Sequence, residues 1–154
     1  MEKLEPYTRS RPVNNTKFNP EAKHYLDTAL SLDRASREKE AIPLYRKALK
    51  AGLCDEDALL TKICLGSSLR NIGNTAQAAR ILESPSKDSP TAFLFYALSL
   101  FDEGRHAELN ILLLKKYFNT LLDTGDQDIL SFSKPLRRYI KSLRIKDLSS
   151  SSPL

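Results

Sequence analysis

A pattern of small and apolar residues that suits a pair of packed helices occurs three times along this chain. Two marker positions keep the same intervals of 37 and 31 residues between successive copies. The first marker is a small residue of the first helix and lies at Ala29, Gly66 and Ala97. The second marker belongs to the second helix and lies at Ala41, Ala78 and Leu109. A helix-pair period of this length predicts a solenoid, a class of fold that mostly serves binding.

The composition is that of an ordinary globular protein. The chain has 154 residues, of which 41% are hydrophobic and 28% charged, with a net charge of +5. No segment approaches the roughly 20 uncharged apolar residues that a membrane-spanning helix needs. Residues 1–5 also lack the apolar core of a secretory signal. We therefore expect a cytoplasmic protein.

Helix-start and helix-stop residues predict seven helices and no sheet. Asn19-Pro20 and Ser89-Pro90 each combine a capping residue with a proline suited to the first helical turn. Ser36 and Thr75 are the predicted openings of the second and fourth helices, and Gly52 the end of the second. The seventh helix is predicted over 126–146. The resulting organisation is an N-terminal tail over 1–18, a helical domain over 19–147 and a C-terminal tail over 148–154.

The sequence offers no chemistry for catalysis or metal binding. Cys54 and Cys64 lie in one predicted helix, about 15 Å apart at 1.5 Å per residue, too far for a disulfide. With His24 and His106 they give no spacing typical of a metal site. The chain also lacks a phosphate-binding glycine loop and a nucleophile elbow. We expect no enzymatic activity, no catalytic residue, no cofactor and no metal.

The repeated pattern resembles the tetratricopeptide repeat, in which small residues stand where paired helices touch. The likeness covers roughly residues 22–143 and is most specific over Gly66–Gly73. The chain is similar to a bacterial subgroup of small tetratricopeptide proteins without an assigned activity. It implies an all-α, right-handed superhelical solenoid of about three helix-turn-helix repeats with a C-terminal capping helix. Leu109 and Lys116 depart from the small residues usual at their positions. We therefore expect the second helix of the third repeat to pack differently.

The resemblance also implies a concave groove lined by the first helix of each repeat. The positions that charged clamps for peptide carboxylates use in this family hold apolar or small residues here, so the implied groove is largely apolar. Our leading hypothesis is a protein-interaction adaptor that binds a peptide or an amphipathic helix there. The alternative is that the C-terminal helix or the N-terminal tail fills the groove. The candidate groove residues are Leu26, Leu30, Asp33, Ile63, Ser67, Arg70, Leu94, Leu98 and Phe101.

The predicted C-terminal helix carries a second candidate surface. An apolar stripe at helical spacing includes Leu136 and Ile140. Cations surround this stripe, and no acidic residue occurs between Lys134 and Asp147. Such a helix favours an anionic partner, although the missing aromatic interleaving disfavours nucleic acid. It is also consistent with a solvated basic face on a capping helix, and self-association as a homodimer is a third hypothesis. The candidate basic residues are Arg137, Arg138, Lys141 and Arg144.

Overall fold

The computed structural model describes residues 19–143, and within them the chain is all-α, as predicted. No strand occurs in this range. The predicted tails over 1–18 and 148–154 lie outside the described residues, as does Arg144. A 3-10 helix over Pro85–Lys87, which the sequence did not predict, follows the fourth helix. The seven α-helices are α1 (Pro20–Arg34), α2 (Glu38–Ala51), α3 (Asp55–Asn71), α4 (Thr75–Glu83), α5 (Pro90–Asp102), α6 (His106–Asp123) and α7 (Gln127–Ser142).

Side-chain caps begin α1 and α5 at the predicted residues. The Asn19 side chain accepts hydrogen bonds from the backbone N–H groups of Glu21 and Ala22. Ser89 Oγ accepts one from the N–H of Ala92 at 3.2 Å. Each of these bonds occupies a donor that a helix start would otherwise leave without a partner. The local signals in the sequence therefore account for both starts.

The turn that follows α1, α3 and α5 has the same hydrogen-bonded geometry three times. A residue in the left-handed region donates its N–H to the carbonyl three positions earlier, and the next N–H reaches the carbonyl five positions earlier. These two bonds form a Schellman motif, which occupies carbonyls left open at the helix end. The left-handed residues are Ser36, Gly73 and Gly104, with φ of 56°, 81° and 70°.

The prediction that Ser36 caps α2 is wrong. Arg37 occupies the N-cap position and its side chain makes no capping hydrogen bond. Ser36 instead holds the left-handed position that glycine holds in the other two turns. A Cβ-bearing residue costs about 1–2 kcal/mol in that conformation, so the first turn is the strained one.

The chain divides into two compact units, Met1–Thr61 and Lys62–Leu154, with the division inside α3. In the described part of the first unit, α1 packs along α2. Their buried side chains include Leu26 and Tyr45, and the Tyr45 hydroxyl donates to Asp33 Oδ2 at 3.0 Å. Lys23 Nζ lies 3.2 Å from Asp57 Oδ1, which ties α1 to the start of α3.

In the second unit, α4 packs on α5, α5 on α6 and α6 on α7. Leu109, one of the two departures from the repeat pattern, is part of the core cluster. Lys116, the other departure, stays at the surface with Nζ 5.4 Å from the centroid of the Phe93 ring. The helix α7 contains no fully buried residue. The core cluster consists of Ala79, Leu82, Ala92, Tyr96, Ala97, Leu100 and Leu109.

Candidate functional site

One face of α5 presents large apolar side chains to solvent. Leu94, Leu98 and Phe101 are 62%, 43% and 58% exposed. Their spacing of four and then three residues places them in one line along the helix. The opposite face of α5 is buried in the core, so this helix is apolar on two sides. An exposed apolar line of this kind marks a surface that a partner can cover.

The second half of α3 adds three residues in the same register, 31 positions earlier in the chain. An ion pair between Arg70 Nε and Asp102 Oδ2 joins the ends of α3 and α5. Near the other end, Ile63 packs against the core cluster that contains Tyr96 and Leu100. The ion pair brings the carboxyl-terminal ends of the two helices together. We call this surface the α3–α5 face, and it consists of Ile63, Ser67, Arg70, Leu94, Leu98 and Phe101.

Side-chain contacts order the end of the α3–α5 face near Phe101. The rings of Phe101 and His106 meet edge to face, with centroids 5.3 Å apart and planes at 63°. Thr75 Oγ1 donates a hydrogen bond to the carboxylate of Glu103. Because Arg70 and Asp102 neutralise each other there, the face combines an apolar centre with a paired polar rim.

The candidate groove residues of α1 belong to the first unit and differ among themselves. Leu26 is completely buried, so it has no surface to offer a ligand. Leu30 and Asp33 are half-buried. Asp33 accepts the hydrogen bond from Tyr45, which gives it a structural role within that unit. Of the candidate groove set, six residues form the α3–α5 face.

Two of the candidate basic residues line a pocket between α6 and α7 with a volume of about 580 Å³. Arg137 and Lys141 form its α7 side. Arg138 lies outside the lining, with its guanidinium carbon 5.1 Å from the centroid of the Tyr139 ring. Sequence reasoning missed the α6 side, although the short break at Gly125 indicated that two neighbouring helices fold back on each other. We call this pocket the basic cleft, and its lining is Lys115, Phe118, Asn119, Arg137, Ile140 and Lys141.

Arginine–glutamate pairs recur at helix starts. Arg37 hydrogen-bonds to Glu40, which holds the pKa of that carboxyl below its usual value. Arg105 and Glu108 repeat the same three-residue spacing at the start of α6, and the bond to Glu108 raises the pKa of Arg105. These pairs order the beginning of the second helix in the first and third repeats.

Residues 19–143 hold no metal-binding cluster and no disulfide. This part of the chain contains no group of three or more His, Cys, Asp or Glu residues placed to hold a metal ion. Cys54 is exposed, Cys64 is half-buried, and neither forms a disulfide. Among the described helices, none has both the length and the apolar content required to cross a bilayer.

Repeated helix pairs, small marker residues and three equivalent Schellman turns define a helical-repeat protein. A family model of the tetratrico peptide repeat matches residues 23–121, which is more than half of the chain. The protein therefore belongs to the tetratricopeptide repeat family, and this membership indicates a protein–protein interaction module. The matched range ends inside α6 and leaves α7 beyond it. No curated protein and no solved structure matches the chain significantly.

Proposed function

We propose that this protein binds an amphipathic helix of a protein partner on its α3–α5 face. The observation that carries the proposal is the exposure of Leu94, Leu98 and Phe101 in one line on α5. These side chains span about 10 Å, or two helical turns. A partner helix with apolar residues at the matching spacing can place one side chain beside each of them.

Burial of apolar surface supplies the binding energy in this proposal. Each Å² of apolar surface removed from water contributes about 25 cal/mol before the cost of ordering the partner. Aromatic side chains such as Phe101 contribute most because of their large area. The Arg70–Asp102 pair at the end of the face meets the polar side of the partner and limits its register.

The packing of α7 supports an external occupant over one from the described part of the chain. In this structure α7 packs on α6, and the α5 line stays exposed with α7 in place. The helix α5 itself is fixed by its packing on α4 and α6. The α5 part of the face is thus preformed, which lowers the entropic cost of binding.

A matched pair of surface variants tests the proposal. Leu98→Asp places a charge on the α3–α5 face, whereas Leu113→Asp places one on α6 at a residue with the same 43% exposure. Proteins captured from the host lysate by the wild type should be lost with Leu98→Asp and retained with Leu113→Asp. A peptide with the sequence of the helix mapped within the captured protein should bind the Leu98→Asp variant at least tenfold more weakly than the wild type. Calorimetry measures both affinities.

Three results would overturn the proposal. The first is equal peptide affinity for the wild type and Leu98→Asp when circular dichroism shows both to be folded. The second is a mapped binding segment that is extended rather than helical. The third is a homodimer, measured by light scattering, that dissociates in Leu98→Asp and so identifies a second copy of this chain as the occupant.

A further inference from the structure

The basic cleft is built by two helices that contribute equivalent pairs of polar residues. Lys115 and Asn119 lie one turn apart on α6, and Arg137 and Lys141 lie one turn apart on α7. A turn at Gly125, with φ of 71°, reverses the chain between the two helices. All four side chains line the same pocket, so both walls of the cleft carry polar groups.

The charge of the cleft is of one sign. Within residues 19–143 its lining has three cations and no acid. The acidic residues in the described part of this helix pair lie away from the lining, Glu108 at the start of α6 and Asp123, Asp126 and Asp128 around the turn, and the nearest is about 10 Å along α6 from Lys115. Lys115 on one wall and Arg137 on the other repel each other, and an anion between them relieves this repulsion. The cleft is therefore complementary to negative charge.

The floor of the cleft is apolar. Phe118 is 6% exposed and Ile140 is half-buried, and both lie between the two charged walls. A free phosphate or a sugar-phosphate backbone is polar and gains no binding energy from an apolar floor. Stacking of nucleic-acid bases requires an accessible aromatic ring, which the buried Phe118 does not provide. The volume of about 580 Å³ suits a few side chains of a peptide.

We propose that the basic cleft binds an acidic peptide segment of a protein partner, with an apolar side chain on the half-buried Ile140 and flanking carboxylates on Lys115, Arg137 and Lys141. The carboxylates bind the cations through charge-assisted hydrogen bonds. This site is separate from the α3–α5 face and does not depend on the function proposed for that face.

The probe is a peptide of sequence Glu-Glu-Leu-Phe-Glu-Glu, labelled at its amino terminus and followed by fluorescence anisotropy at low salt. A second peptide replaces each Glu by Gln, and a third replaces Leu-Phe by Ser-Ser. The Gln peptide should bind at least tenfold more weakly and the Ser-Ser peptide several-fold more weakly, because the first loses the charge and the second the apolar contact. Equal affinity of all three peptides would overturn the proposal.

Two double variants of α7 separate the cleft from the general charge of the chain. Arg137→Gln with Lys141→Gln removes two cations from the lining, whereas Lys134→Gln with Arg138→Gln removes two outside it. The first should weaken the Glu peptide about tenfold and the second less than twofold, since exposed ion pairs each contribute up to about 1 kcal/mol. Circular dichroism of both variants should match the wild type.

Equal weakening by the two double variants would assign binding to net charge alone and overturn the proposal. The proposal would also be overturned if a single-stranded oligonucleotide bound more tightly than the Glu peptide and the cleft variant abolished this binding. Nucleic acid would then be the ligand. Leu98→Asp should leave the peptide affinity unchanged, so this site and the α3–α5 face can fail independently.

Discussion

Gly66 on α3 lies so close to Leu82 on α4 that a Cβ at Gly66 would be 2.6 Å from Leu82 Cγ. Leu82 is fully buried in the core cluster, so its side chain has no open space into which it can move. The small marker of the second repeat is therefore glycine, although the first and third repeats carry alanine there. Close approach of the two helices, rather than backbone freedom, requires glycine at this position.

We predict that Gly66→Ala destabilises the protein by about 1–2 kcal/mol. Overpacking of a core costs about 1–3 kcal/mol, and alanine returns up to about 1 kcal/mol through its higher helix propensity. The free energy of unfolding in urea measures the difference. In a double-mutant cycle, Leu82→Ala should cost less in the Gly66→Ala background than alone. Strict additivity would show that the contact with Leu82 is not the cause.

Ser36→Gly should stabilise the protein by about 0.5–1 kcal/mol. Glycine removes the strain of the left-handed conformation, about 1–2 kcal/mol, and part of this gain is lost to the greater freedom of glycine in the unfolded chain. The reciprocal change Gly73→Ser places the same strain in the second turn and should destabilise to a similar extent. Thermal unfolding monitored by circular dichroism checks both, and shifts of the same sign would contradict the explanation.

Ionisation of Tyr96 should lower the free energy of unfolding at alkaline pH. Burial, and secondarily the carboxylates of Glu108 and Glu83, raise the pKa of the Tyr96 hydroxyl above its usual 10.0. The folded protein thus holds this proton more tightly than the unfolded chain. The contribution of Tyr96 is complete below pH 10 and is lost as the pH rises towards the folded-state pKa.

The pH dependence of unfolding separates Tyr96 from the other titrating groups. Above pH 10, the free energy of unfolding should fall less steeply in Tyr96→Phe than in the wild type. Tyr117→Phe is the matched control for the loss of a tyrosine hydroxyl, because Tyr117 is 64% exposed. Identical slopes in the wild type and Tyr96→Phe would show that Tyr96 does not cause this pH dependence.

The sequence predicted the helices well because their ends depend on local residues. Asn19 and Ser89 cap the helices that follow them with bonds to N–H groups no more than three residues away. Ser36 misled the local interpretation because serine is common at N-caps. Ser36 is equivalent in the repeat to Gly73 and Gly104, and this equivalence indicates a left-handed residue, since equivalent turns of a repeat share a backbone conformation.

Burial at equivalent repeat positions could not be predicted from the sequence. Leu26, Ile63 and Leu94 occupy one register position, yet they are respectively buried, half-buried and exposed. The position equivalent to Tyr45 and Leu82, both buried, is held in the third repeat by the exposed Leu113. This supports the expected difference in packing of α6. Such differences depend on what covers each residue in three dimensions.

The same limit applied to the two candidate surfaces. The stripe on α5 was visible in the sequence, but its exposure was not. Lys115 could be assigned to the basic cleft only from the packing of α6 on α7, because the α7 residues of the cleft are more than 20 positions away in the chain.

The helix α7 buries no residue completely, and the neighbour on which it packs is α6. Melting α7 therefore exposes little apolar area, and this segment should open at a free energy far below that of global unfolding. The basic cleft has its second wall only while α7 is docked. A ligand of the cleft must then bind the closed fraction of the molecules, and the observed affinity falls in proportion to that fraction. The cleft is thus a site whose strength can be set by the stability of one helix.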